Sequence, residues 1–168
     1  MIVGIGTDIV EIEKLRLAMV RRGERLRNRA FTEGEIAYCE ERASRYQHYA
    51  VRFAAKEAAF KAIGTGWRDG VGWHDAEVKN EMSGKPILIL SGRALEIALQ
   101  MGARHFWLSL SHTDLYAVAQ VVLEGSHYLG LEEEFGLVWR WRWWFQHNNT
   151  KFSRSVGPPR IQCWMWWA

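Results

Sequence analysis

The sequence predicts an α+β fold in which one long central helix packs on a curled antiparallel sheet. Three observations carry this expectation. An alanine-rich stretch from Ser44 to Ile63 holds no glycine or proline and stops at Gly64-Thr65-Gly66, as a helix with a glycine C-cap does. Alternating apolar runs flank it at Ile2 to Ile12, Val71 to Lys79, Pro86 to Leu90, His105 to Ser111 and Tyr116 to Leu123. These helical and strand segments are interspersed without regular βαβ repetition, which favours an α+β layout.

The elements follow in order. In the first run Val3, Ile5 and Ile9 alternate with small or polar residues, reading as a strand that turns into a helix, with Asp8 where the strand ends or kinks. Thr32 and Glu35 have capping-box spacing: the threonine oxygen takes one orphan N–H and the glutamate reaches back to another. A helix should start there. Within the long helix Ala50, Phe53, Ala54, Glu57, Ala58 and Lys61 recur at three and four, which sets Glu57 and Lys61 one turn apart on the face that carries apolar residues. Ser83-Gly84-Lys85 reads as a turn between two strands, and Gly92 to Met101 as a short helix. Ser111-His112-Thr113-Asp114 reads as a hairpin connection, with His112 at its mouth.

A chain of 168 residues, 48% hydrophobic and 24% charged, with three prolines, excludes a disordered or collagen-like class. Its apolar stretches fall far short of the roughly 18 to 20 residues that cross a bilayer, so no stable membrane insertion is expected. Met1-Ile2-Val3-Gly4 shows no basic leader and Asp8 interrupts the apolar run. A cytoplasmic location is the expectation. Cys39 and Cys163, far apart and without partner histidines at ligand spacing, argue against a cysteine zinc site or a disulfide framework. Composition shifts near residue 125: seven of the ten tryptophans lie beyond it, dividing the chain into a body at 1–124 and an extension at 125–168. The net charge of +3 is spread over both. Inside the body, Lys14, Arg16, Arg21, Arg22, Arg25, Arg27 and Arg29 face only Glu24. Such a basic strip calls for an acidic partner or phosphates.

Three features carry chemistry: Asp8 on the first strand, Glu57 on the inner face of the helix, and Lys61 with a glycine loop just beyond. Two carboxylates brought together repel, and a divalent cation is the usual remedy; all-oxygen ligands completed by phosphates favour magnesium. Lys61 and the backbone N–H groups around Gly64, Thr65 and Gly66 would then hold phosphate, with His112 as a further donor. Each piece alone has a plainer reading, as a helix ion pair, a helix stop or a surface histidine. Gly4-x-Gly6 lacks the third glycine of a dinucleotide fingerprint, and the 64–66 loop lacks a P-loop ending.

Together and in order, Gly4-Ile5-Gly6-Thr7-Asp8-Ile9-Val10, Arg52-Phe53-Ala54-Ala55-Lys56-Glu57-Ala58, Lys61-Ala62, Gly64-Thr65-Gly66, Asn80, Gly84-Lys85-Pro86 and Ser109-Leu110-Ser111-His112 with Tyr116-Ala117 resemble the holo-acyl-carrier-protein synthases, the small bacterial 4'-phosphopantetheinyl transferases. The resemblance covers residues 1–124 and implies that family's fold. It also implies transfer of the phosphopantetheine arm of coenzyme A to a serine of apo-acyl carrier protein, releasing 3',5'-ADP, in the service of fatty acid synthesis. Asp8 and Glu57 would bind Mg2+, Lys61 and His112 would contact phosphate oxygens, and the 64–66 loop would lie beside the nucleotide. Proton removal from the serine falls to a water on the cation or to a carboxylate, Glu57 included. The resemblance further implies homotrimers with sites between neighbouring subunits, where Arg52, Lys85 and the strand around Asn80 serve a CoA bound partly by the next chain. The basic strip, with Lys14, Arg21, Arg22 and Arg25, would dock the acidic carrier protein. Lys14 stands where many relatives have arginine, a point charge in place of a bidentate fork.

The resemblance stops near Glu124. Beyond it Val138 to Trp144 alternates tryptophan with arginine, a composition suited to a membrane interface or single-stranded nucleic acid. The plainer expectation is an appended extension of no assigned role, loop-like over Asn148 to Pro159. Two other function classes compete: a non-catalytic CoA- or carrier-binding module, and a basic nucleic-acid binder. The set of acids, lysine and histidine favours the enzyme, with no nucleic-acid partner expected.

Overall fold

The computed structural model describes residues 1–66 and 68–125. Apart from Gly125, the tryptophan- and arginine-rich extension expected at 125–168 lies outside the described residues, as do its Val138 to Trp144 run and the loop expected over Asn148 to Pro159.

Strand β1 (Ile2–Glu11) passes directly into helix α1 (Ile12–Ala30), which Gly23 breaks with φ 54° and ψ −141°. Asp8 therefore sits inside the strand, hydrogen-bonded through to its end, and not at a terminus. Helix α2 (Glu33–Glu40) starts as its sequence dictates: the Thr32 hydroxyl accepts from the Glu35 N–H, and the Glu35 carboxylate accepts from the Thr32 N–H. The long helix α3 (Arg45–Ala62) ends at Gly64, whose φ of 77° is the left-handed turn a C-cap glycine supplies. A single 3₁₀ turn (Trp73–Asp75) precedes β2 (Ala76–Asn80), β3 (Pro86–Leu90), α4 (Gly92–Gln100), β4 (Ala103–His112) and β5 (Tyr116–Gly125). The strand expected from Val71 begins only at Ala76. The Asp75 carboxylate accepts from the Gly72 N–H at 3.1 Å and winds the intervening residues into the turn.

The antiparallel strands form two ladders, a three-stranded sheet in the order β1-β5-β4 and a two-stranded β2-β3. Helix α3 lies against the first, over β1 and β5. The alternation of β5 decides the core: Ala117, Ala119, Val121 and Leu123 are fully buried toward the helix, the last three in one cluster with Ala54, Ala55, Ala58, Ala59 and Phe60, and Ala117 in a second with Tyr49, Ala50 and Val51. Small residues on both sides let the backbones approach. A Cβ on Gly6 would overlap the Ala58 carbonyl oxygen, and one on Gly4 the Ala62 carbonyl oxygen. The Gly-x-Gly of β1 is thus a packing device that seats the strand on α3.

The opposite face of this sheet is bordered at its β4 side by Glu81, Lys85 and Pro86. Its rows, Ile5–Val122–Trp107, Thr7–Gln120–Ser109 and Ile9–Val118–Ser111, follow from the strand register. Ile5, Ile9 and Trp107 are each more than half exposed.

A buried ion pair ties α2 and α3 to β2. Lys56 and Glu35 are both fully buried, with Nζ 2.8 Å from Oε2. Lys56 donates its other two N–H groups to the carbonyls of Trp73 and Ala76, and Glu35 Oε1 accepts from the Val78 N–H. Burial holds the Lys56 amine below its ordinary value, against the pull of Glu35.

Candidate active site

Because side chains alternate along β1, Asp8 shares the helix-facing side with Gly4 and Gly6, which places its carboxylate beside α3. Lys61, in the last turn of α3, donates to Asp8 Oδ1 at 2.7 Å and to the Thr7 carbonyl at 3.2 Å. Glu57, one turn earlier, lines with Asp8 an open cleft of about 520 Å³ that Glu11, Lys14, Phe53 and Tyr116 also border. The structure therefore brings Asp8, Glu57 and Lys61 together as expected. It corrects one detail, since Lys61 does not lie on the buried stripe: its side chain is 50% exposed, and the buried lysine of the helix is Lys56. Among the described residues no cluster of three or more His, Cys, Asp or Glu meets at one point. The two carboxylates supply hard oxygen ligands only, a donor set that fits Mg2+ completed by phosphate oxygens and water.

The glycine loop departs from expectation. The Gly64 N–H donates to the Lys61 carbonyl and the Gly66 N–H to that of Phe60, so both amides cap the helix and neither is left for phosphate. The Thr65 hydroxyl bonds the Gly66 carbonyl at 3.3 Å.

His112, Arg52 and Lys85 lie elsewhere. His112 ends β4, opposite Ala117, with its ring 6.4 Å from that of His48 at the other end of α3. His48 and Lys61 are separated by thirteen positions in α3, about 20 Å of helix. Around His48 a cationic cluster gathers: Arg52 and Arg42 stack on the two-sided Tyr38 ring at 3.9 and 3.3 Å, and Arg52 donates to Asn80 Oδ1 at 2.9 Å. Arg52 is almost wholly buried, and its Nε has no partner. Burial, and then Arg52, Arg42 and His112, depress the His48 pKa. Asn80 donates to the Gly84 carbonyl, and the Lys85 ammonium sits 5.8 Å from the Trp107 ring. One chain thus carries two separate groups, the acids with Lys61 at one end of α3 and the cations with His112 at the other.

Of the basic strip, Arg16 pairs with Glu13 and Arg27 with Glu24 and Glu40, whereas Lys14, Arg21, Arg22, Arg25 and Arg29 make no ion pair among the described residues. Arg22, Arg25 and Arg29 border a groove of about 620 Å³ between α1 and α3, floored by Leu26, Phe53 and Trp73. Leu15, Ala18 and Phe53 border both this groove and the cleft of Asp8 and Glu57, so the two are continuous. Lys14 lies in the cleft, and Arg21 borders neither. Sequence reasoning missed the apolar floor of the groove, the Tyr38–Arg42–His48 cluster and the Lys56–Glu35 pair. No spacing rule links residues 35 and 56, and Glu35 had read only as a capping residue.

Comparison with known proteins adds the family. The holo-[acyl-carrier-protein] synthase of Koribacter versatilis is 49% identical over 124 residues, 74% of this chain and 99% of the relative. That of Geobacter sp. strain M21 is 50% identical over the same length and shares. The crystal structure of a Bacillus anthracis holo-(acyl-carrier-protein) synthase in complex with CoA (3',5'-ADP) superposes with a TM-score of 0.62 at 40% identity, covering 75% of this chain and 99% of that one. Residues 4–121 match the family model described as the 4'-phosphopantetheinyl transferase superfamily, and with two acids, a lysine and a basic groove arranged as described, the chain belongs to that superfamily.

Proposed function

We propose that the protein transfers the 4'-phosphopantetheine group of coenzyme A to a serine hydroxyl of an apo-acyl carrier protein, giving the holo form and adenosine 3',5'-bisphosphate. The observation that carries this reading is that Asp8, bonded by Lys61, lines with Glu57 a cleft that opens into an arginine-rimmed apolar groove. Serine oxygen forms a bond to the phosphorus that bears the pantetheine arm, the bond from that phosphorus to the nucleotide phosphate breaks, and the serine proton leaves to the cleft carboxylates or to water. Asp8 and Glu57 hold Mg2+, which when bound neutralises charge on the pyrophosphate as it develops on the leaving phosphate. Lys61 contributes its ammonium to the phosphate oxygens, orienting the group for in-line attack.

His112 and Arg52, at the opposite end of α3, and Lys85, beside Trp107, bind the anionic nucleotide end of CoA. The separation of the two groups, and the exposed Ile5, Ile9 and Trp107 beside the part-buried Val118 and Val122, support a homotrimer in which one subunit's cations face the next subunit's acids. The Gly64–Gly66 loop shapes the nucleotide side through its surface, its glycine amides being spent on the helix cap. Lys14, Arg21, Arg22 and Arg25 attract the acidic carrier protein, whose helix lays its apolar side on Phe53 and Trp73. Residues 1–124 form the transferase domain and 125–168 an extension of no assigned role. Among the described residues no helix is long and apolar enough to cross a membrane. We place the enzyme in the cytoplasm, in fatty acid biosynthesis.

The test is the intact mass of an apo-acyl carrier protein after incubation with this protein, CoA and Mg2+. A gain of one phosphopantetheine group that EDTA prevents is expected, and an unmodified carrier in the presence of Mg2+ refutes the proposal.

A further inference from the structure

We propose that Lys61 is a placeholder on Asp8: its ammonium occupies the carboxylate that a divalent cation requires, and leaves it for a phosphate oxygen when cation and substrate arrive together. This deepens the transferase reading and rests on it, since Asp8 must be a cation ligand. Lys61 Nζ lies 2.7 Å from Asp8 Oδ1 and 3.2 Å from the Thr7 carbonyl. Two of its three donors are thereby fixed on β1. The Asp8 side chain is only 15% exposed, so solvent compensates its charge poorly and the ammonium does so instead; the Lys61 side chain is 50% exposed and open to solvent on its outer side. A Mg2+ ligated by the same carboxylate would sit about 2.1 Å from its oxygen. An ammonium and a divalent cation cannot share that oxygen at contact range without strong repulsion, because the carboxylate between them is itself largely covered.

The geometry also supplies the exit. Lys61 is rooted in the last turn of α3 on a flexible four-carbon stem, so its tip can swing outward while the helix, pinned by the caps at Gly64 and Gly66, stays in place. A pyrophosphate in the cleft offers the ammonium anionic oxygens equivalent to the one it gives up. Cation and CoA then reinforce each other's binding, because each removes what the other would have to displace. The free protein takes up a divalent cation weakly, and the exchange commits Asp8 to the cation only when substrate is at hand.

The experiment uses the full chain and Mn2+ as the probe, with free Mn2+ read by electron paramagnetic resonance. Lys61→Met should bind Mn2+ without CoA on the order of tenfold more tightly than the wild type, within the range of ordinary coupling between sites. Lys14→Met removes a cation that borders the same cleft without an ion pair, and should shift Mn2+ affinity less than about twofold, the effect of screened charge alone. In the presence of CoA the advantage of Lys61→Met should disappear. Equal shifts in the two lysine variants, or no tightening in Lys61→Met, overturn the placeholder while leaving the transferase reading intact. Asp8→Asn should lose Mn2+ binding; unchanged binding there removes Asp8 as a ligand, and with it both the cation assignment and the placeholder. Lys61 is exposed enough that circular dichroism of Lys61→Met should match the wild type.

Discussion

Replacing Lys56 with methionine should destabilise the fold by about 3 to 5 kcal/mol, the usual cost of breaking a buried ion pair from one side. Methionine keeps the length and apolar bulk of the stem but has no donor. Glu35 would retain its bonds from Thr32 N–H and Val78 N–H, both 3.0 Å, yet lose the charge that compensates it, and the Trp73 and Ala76 carbonyls would each lose the Lys56 donor. Against a typical stability of about 5 to 15 kcal/mol this is a large fraction. Glu35→Gln keeps the capping acceptor and the shape but strands the ammonium, at a similar cost. The double variant buries neither charge, so its loss should fall short of the sum of the singles by about 2 to 3 kcal/mol. Urea unfolding measures all four proteins, at one protomer concentration because assembly shifts apparent stability. Losses that add to within about 0.5 kcal/mol would refute the claim that the pair acts as a unit.

Asp8→Ala and Glu57→Ala should each reduce Mg2+-dependent transfer by about 10³-fold or more with circular dichroism unchanged, and full activity in either variant removes it from the cation site. Charge reversal at Arg22 and Arg25 should raise the carrier-protein KM about tenfold with the CoA KM unchanged, and reversal at Arg21, which borders neither groove nor cleft, should do less; equal effects at all three would reduce the groove to a general charge effect. The depressed His48 pKa makes the unfolded chain bind more protons than the folded one, so this contribution is complete above about pH 6.5 and lost as pH falls through the lower folded value. His48→Phe should flatten the fall in urea stability between pH 7.5 and 5, and parallel profiles would exclude His48 as a source. Gly6→Ala should cost about 3 kcal/mol or more, because the added methyl overlaps the Ala58 backbone; a variant with wild-type thermal stability would show that β1 can move off α3.

Local rules made most elements legible. The Thr32–Glu35 box, the alanine-rich run stopped by Gly64 and the hairpin before Tyr116 each encode their own geometry within a few residues, and each forms where its sequence indicates. What the sequence concealed depends on contacts between distant positions. Val71 to Asp75 has the composition of a strand but is captured as a turn by the Asp75 side chain and by the Ser91 N–H, which donates to the Asp75 carbonyl. The helical spacing of Glu57 and Lys61 fixed their common direction but not the depth of each, and only the packing of β1 showed that Lys61 emerges while Lys56 is interred. Asp8, Glu57 and Lys61 could be grouped from their motif; the separation of His112 and Arg52 from them could not, because it follows from the direction in which α3 crosses the sheet.

The contact of the Gly4 and Gly6 backbone with Ala58 and Ala62 also has a mechanical meaning. With no side-chain layer between them to yield, strand and helix form a single stiff beam, and Asp8 and Glu57 are fittings on that one beam despite lying 49 positions apart in the chain. Amide protons on either side of the contact should therefore exchange with deuterium only through opening of the whole body, as in the last units of a fold to open. Relative drift of the two carboxylates is removed by construction, and whatever movement accompanies each turnover is left to the lysine tip and to the surfaces that meet the substrate.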